Sequence, residues 1–133
     1  MATWNDIKTW FTDQEINFTD NGDWIETGFY FARQDRSQSL RIGYQPAQDG
    51  TPLIWLMSPI AAFDPKKVEA LLTAACQGVG GVALANNEDG KFFILQSTVP
   101  IADLDASEIQ WHATSLTGFA DDLEEAIFKT DIA

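Results

Sequence analysis

The run Pro52-Leu53-Ile54-Trp55-Leu56-Met57-Ser58-Pro59-Ile60 decides how this chain is read. From Leu53 to Met57 it is apolar without interruption. A strand with one wet face alternates apolar and polar side chains, because successive residues point to opposite faces. The missing alternation predicts a strand covered on both sides. In a chain of 133 residues, one cover is expected to be a layer of its own helices. The other is expected to be a second copy of the chain or a bound partner.

The segments before this run read as a helix followed by a meander. Thr3 and Asp6 are spaced as an N-cap pair, with an acid where a capping box prefers Glu or Gln. Trp4, Ile7 and Phe11 then recur on one helical face, with Trp10 beside them. Ile16 and Phe18 alternate as a short strand, and Asp20-Asn21-Gly22-Asp23 is a turn. Trp24 to Ala32 is an aromatic-rich strand, and the polar segment Gln34 to Gln38 is expected to turn the chain. Leu40, Ile42 and Tyr44 alternate with wetter residues, and Gln48-Asp49-Gly50 leads into the central run. Such short connections predict antiparallel pairing.

Beyond the central run, Asp64 and Pro65 are suited to cap and start a second helix, with Val68, Leu71, Leu72 and Ala75 as its stripe and Gly78 as its stop. Val82, Leu84 and Asn86 begin another strand, which turns at Asn87-Glu88-Asp89-Gly90. Phe92-Phe93-Ile94-Leu95 is the second run with no polar face. Pro100 closes that strand, and Asp105 with Glu108 caps a final helix bearing Ile109, Leu116, Phe119, Leu123 and Ile127 at helical spacing. The expected fold is a single α+β domain over residues 1–133, with an antiparallel sheet and the order helix, three to four strands, helix, two strands, helix.

Composition limits the function. The chain is 45% hydrophobic, with five Trp and nine Phe, enough apolar material for a packed core. Its net charge is −12, from 20 acidic and 8 basic residues. Such a surface repels phosphate backbones and anionic lipid, so neither nucleic acid nor membrane is an expected partner. One cysteine, Cys76, allows no internal disulfide. The start, Met1-Ala2-Thr3-Trp4-Asn5-Asp6, has neither a basic nor an apolar region, so no signal peptide is expected and the location is read as cytoplasmic.

No catalytic, cofactor or metal site is expected. Gly78-Val79-Gly80-Gly81 follows a helix and precedes a strand, the reverse of a phosphate loop. A calcium loop centred on Gly90 would put Ala85 and Gln96 where acids belong. Cys76 lies at a helix C-terminus, the wrong end for activating a thiolate. His112, the single histidine, falls on the apolar stripe of the last helix, and no nucleophile elbow accompanies it. Asp121-Asp122 and Glu124-Glu125 are expected on the solvated side of that helix. The informative set is apolar: Trp55 and Met57 on one side of the central strand, Phe93 and Leu95 on one side of its later counterpart, and Trp111 off the stripe of the last helix. These five are the candidate dimer or partner surface, since large bare apolar patches are rare on monomers.

The element order, the strand Leu53-Ile54-Trp55-Leu56-Met57 before a Pro65-started helix, the Val99-Pro100-Ile101 strand end and Asp103-Leu104-Asp105 before a long final helix together resemble the YbjN family, whose fold is that of the type III secretion chaperones. The resemblance implies a cytoplasmic, non-enzymatic, homodimeric protein and supplies no catalytic residues. It implies a chaperone-like or regulatory module holding a client polypeptide against apolar surface. The competing expectation is a small-ligand protein or enzyme with a pocket near His112.

Overall fold

In the computed structural model, residues 2–31, 36–102 and 104–128 are described. The first helix, α1, runs Trp4–Asp13 and is fixed at its start by a reciprocal pair: the Asp6 amide donates to Thr3 Oγ1 and the Thr3 amide donates to Asp6 Oδ2. These bonds satisfy two of the donors that a helix start leaves without internal partners. Ile7, Trp10 and Phe11 point into the core. The chain then forms β1 (Phe18–Asp20), β2 (Trp24–Phe31), β3 (Arg36–Pro46) and β4 (Pro52–Ala62). After a 3-10 turn over Pro65–Lys67 come α2 (Val68–Ala75), β5 (Gly81–Asn87), β6 (Gly90–Pro100) and α3 (Ala106–Leu123), which ends in a π-helical turn, Glu124–Phe128.

The strands form one antiparallel sheet in the order β1-β2-β3-β4-β6-β5. Thus the two apolar runs, β4 and β6, are direct neighbours in the sheet, although α2 and β5 separate them in sequence. All three helices lie on one face. The residues they cover alternate along each strand: Ile25; Leu40 and Ile42; Ile54, Leu56 and Ile60; Phe93 and Leu95. From α3 they receive Ile109, Ala113, Leu116, Ala120 and Leu123, and from α2 Leu71 and Ala75.

Several expectations are corrected by the structure. Gln38 does not turn the chain; it lies within β3, buried, opposite Phe29 of β2. Gln34 and Asp35 lie outside the described residues, as do Ala32 at the expected end of β2 and Asp103 before α3. The stop of α2 is Cys76 rather than Gly78, and the left-handed backbone falls at Gly80, φ +73°. Gly78 serves packing instead: a Cβ there would lie 2.2 Å from the Phe119 ring. Asp121 is not on a solvated face; it is 1% exposed, because the inward face of α3 is broad enough to include Thr117 and Asp121.

Prolines shape the centre of the sheet. The β3–β4 ladder ends at Arg41↔Met57, two residues before Pro59, which has no amide to donate. Side chains take over there. Ser58 Oγ donates to the Ser39 carbonyl at 2.6 Å, while the Gln38 amide donates to Ser58 Oγ at 3.1 Å and to the Pro59 carbonyl. On the other side of β4, the register with β6 shifts between Pro59 and Ala61, so Ile60 is an extra residue bulged toward the helices.

Candidate functional site

The second face of the sheet carries no layer from the described residues. Its composition follows from register, because directly opposed residues in antiparallel strands point the same way. Trp24, Gly43, Trp55 and Thr98 form one cross-strand row, and Glu26, Arg41, Met57 and Gln96 the next. Pro59, Ile94 and Ala83 follow, then Phe92 and Ala85. The result is a trough with an apolar floor running along β4 and β6.

Trp55 lies flat on this face. A Cβ built on Gly43 would sit 1.9 Å from Trp55 Cζ2, so the indole occupies the space directly over the glycine. The absence of a side chain at Gly43 thus creates a seat for the ring. Beside it the Arg41 guanidinium lies 5.1 Å from the Trp24 ring centroid, and its Nε is 3.4 Å from Glu26 Oε1. Both partners of this ion pair are exposed, which holds its worth to about 0–1 kcal/mol. It orders one margin of the trough.

Two hollows mark the ends of the trough. One, of about 220 Å³, lies at the β3–β4 hairpin between Gln45, Pro46, Leu53, Trp55 and Thr98. The other, of about 300 Å³, lies toward the β5–β6 turn, floored by Met57, Pro59, Phe92 and Ile94 and edged by Glu26, Arg41, Asn87 and Asp89.

Of the five expected surface residues, the structure brings only Trp55 and Met57 together on the open face. Phe93 and Leu95 are corrected: both are buried against the helices, where Phe93 meets Phe63 and Phe128 edge-on or tilted at 5.3 and 5.8 Å between centroids. The reason is parity. Met57 opposes Gln96, so the even-numbered residues of β6 share its face and the odd-numbered ones face inward. Ile94 and Phe92 point to the open face instead, Phe92 half-buried and Ile94 only 5% exposed. Trp111 is 55% exposed on the outer side of α3, across the sheet from Trp55. His112 is half-buried, with its ring 5.2 Å from that of Trp111. His112 lines neither hollow of the trough.

Among the described residues, no group of three or more His, Cys, Asp or Glu side chains is placed to hold a metal ion, and no helix is long and apolar enough to cross a membrane. Cys76 is exposed, its Sγ 3.0 Å from the Thr73 carbonyl.

No protein-family model matches the chain, and no curated protein sequence matches it. A solved structure does. A chain of the structure described as the HopA1–SchA chaperone–effector complex superposes with a TM-score of 0.57, over 90% of each chain, at 13% sequence identity. The fold is type III secretion chaperone-like. At that identity the likeness concerns backbone architecture: one α+β domain with its helices on one face of an antiparallel sheet.

Proposed function

We propose that this protein is a non-enzymatic binding module, chaperone-like or regulatory, that holds an extended segment of a partner polypeptide on its open sheet face. The observation that carries this reading is the row of half-buried Trp55, Met57 and Pro59 along β4, on the face of the sheet that no described helix covers. Apolar surface left in water forgoes roughly 25 cal/mol per Å² that burial would return. A segment laid along the trough recovers that energy and adds pockets for alternate side chains.

Charge defines the partner further. The net charge of −12 steers a basic polypeptide toward the protein and repels nucleic acid and anionic lipid. The chaperone–effector complex containing the structural neighbour supports the same reading. A cytoplasmic setting accords with the lone Cys76. Placement within the YbjN family, the narrower reading, rests on the Leu53–Met57 strand, the helix started by Pro65 and the Val99-Pro100-Ile101 strand end.

The test uses a benzophenone probe attached at Met57→Cys in a Cys76→Ser background, with Gln110→Cys on the outer side of α3 as control. The client is a permanently unfolded basic chain, reduced and alkylated lysozyme. Photolysis is expected to give covalent adducts from position 57 and few from position 110. Equal adducts from both positions would overturn the proposal.

A further inference from the structure

At the end of the trough toward the β5–β6 turn, side-chain length shapes the surface. Directly opposed residues fall into cross-strand rows. Gly28 opposes Ser39, and Pro59 opposes Ile94, which opposes Ala83. This row has low relief, with Ile94 packed down to 5% exposure. The row beside it, Glu26, Arg41, Met57 and Gln96, is tall. Phe92, Asn87 and Asp89 stand on the other side. The hollow of about 300 Å³ is therefore a slot that crosses the strands, apolar along its floor and charged at both ends.

The two ends differ in their pairing. At one, the Glu26 carboxylate is held by Arg41, whose Nε lies 3.4 Å away. At the other stands Asp89, exposed on the turn. Its backbone amide donates to Asn87 Oδ1 at 2.9 Å, which fixes the turn. Among the described residues, no cation pairs with its carboxylate. Lys91 belongs to the helix side of the sheet, its Nζ 6.0 Å from the Phe63 ring centroid. Arg41 is on β3, three strand spacings from β5, roughly 14 Å.

These features select the occupant. An acidic side chain would meet two carboxylates in a chain of net charge −12. A purely apolar one would displace water from the polar ends and return no bond to them. Lysine and arginine match the slot, because an apolar stem carries a charged head.

We infer that the slot is a subsite for a lysine or arginine side chain of the bound polypeptide, with its stem on Met57, Pro59 and Ile94 and its head at Asp89. This rests on the reading of the open face as a client surface, and it names the side chain that the face selects. Glu26 is already occupied by Arg41, so Asp89 supplies the discrimination between basic and acidic clients at this end.

The test uses fluorescein-labelled peptides Ser-Thr-Val-Thr-X-Thr-Val-Thr-Ser, with X = Lys, norleucine or Glu, titrated by anisotropy at physiological ionic strength. The wild type is expected to prefer X = Lys over X = Glu by roughly tenfold, attraction being exchanged for repulsion, with norleucine between them. Asp89→Lys should reverse that order with an unchanged unfolding midpoint, because the turn uses the backbone amide of residue 89. Glu69→Lys on α2, with the same change in net charge, should keep the wild-type order. Trp55→Ala/Met57→Ser should weaken all three peptides together. Equal affinity for X = Lys and X = Glu, an unchanged order in Asp89→Lys, or a reversed order in Glu69→Lys would each overturn the subsite, while loss of binding in the Trp55/Met57 variant would leave the client face standing. A wild type that binds none of the peptides would overturn both.

Discussion

Trp55 rests on Gly43, its direct cross-strand partner, with no room for a Cβ between them. An aromatic ring seated over a strand glycine covers a weak point in the ladder and is itself held flat. Gly43→Val should therefore unseat the indole. The overpacking costs ~1–3 kcal/mol, and a stiffer unfolded chain offsets about 0.5–1 kcal/mol of it. The net expectation is a loss on the order of 1 kcal/mol in urea unfolding, together with greater acrylamide quenching of tryptophan emission. An unchanged midpoint and unchanged quenching would show that Gly43 is not the seat of Trp55.

Ser58 and Gln38 replace ladder bonds that Pro59 denies the sheet. Ser58 is completely buried, and its hydroxyl serves the Ser39 carbonyl. Ser58→Ala removes that donor and the acceptor for the Gln38 amide. Leaving buried polar groups unpaired costs about 1–3 kcal/mol, so chemical unfolding should show a loss of that size with an unchanged denaturant dependence.

Much of this architecture was legible in the sequence because local rules and tertiary packing agree. The Thr3–Asp6 cap, the Asp105 cap and the Asp64–Pro65 start, which opens the 3-10 turn before α2, occur where residue types require them, as do the turns before β2, β4 and β6. The two unbroken runs form β4 and β6, which pair with each other inside the sheet. Register was hidden. Whether Met57 shares a face with Leu95 or with Ile94 depends on one residue of slip, which reverses every side chain. No local pattern in Phe92-Phe93-Ile94-Leu95 fixes that parity, and so Phe93 and Leu95 were expected outside. Gln38 and Asp121 were hidden for a related reason: their polarity argued for solvent, while their positions in β3 and α3 carry them into the interior.

Low pH acts on the caps. The Glu108 backbone amide, followed by the Ser107 hydroxyl, holds the Asp105 carboxyl below its ordinary value; Asp20 is lowered by the Gly22 amide and Lys8, and Asp49 by Thr51. A carboxyl with a depressed folded pKa contributes stability that is present above its unfolded value, about 3.9, and is lost as pH falls through the folded value. Stability should thus decline below about pH 4. Asp105→Asn keeps a capping acceptor without a titrating charge. Its urea midpoint should fall less steeply than that of the wild type between about pH 4 and pH 2.5, and an equal slope would remove Asp105 from the account.

The most direct test of the trough is an equilibrium titration. Fluorescently labelled reduced and alkylated lysozyme would be titrated with the wild type, with Trp55→Ala/Met57→Ser, and with Trp111→Ala. The account predicts binding that weakens as salt screens the acidic surface, at least tenfold weaker affinity for the Trp55/Met57 variant, and wild-type affinity for Trp111→Ala. Undiminished binding by a folded Trp55/Met57 variant would contradict the claim that this face holds a client.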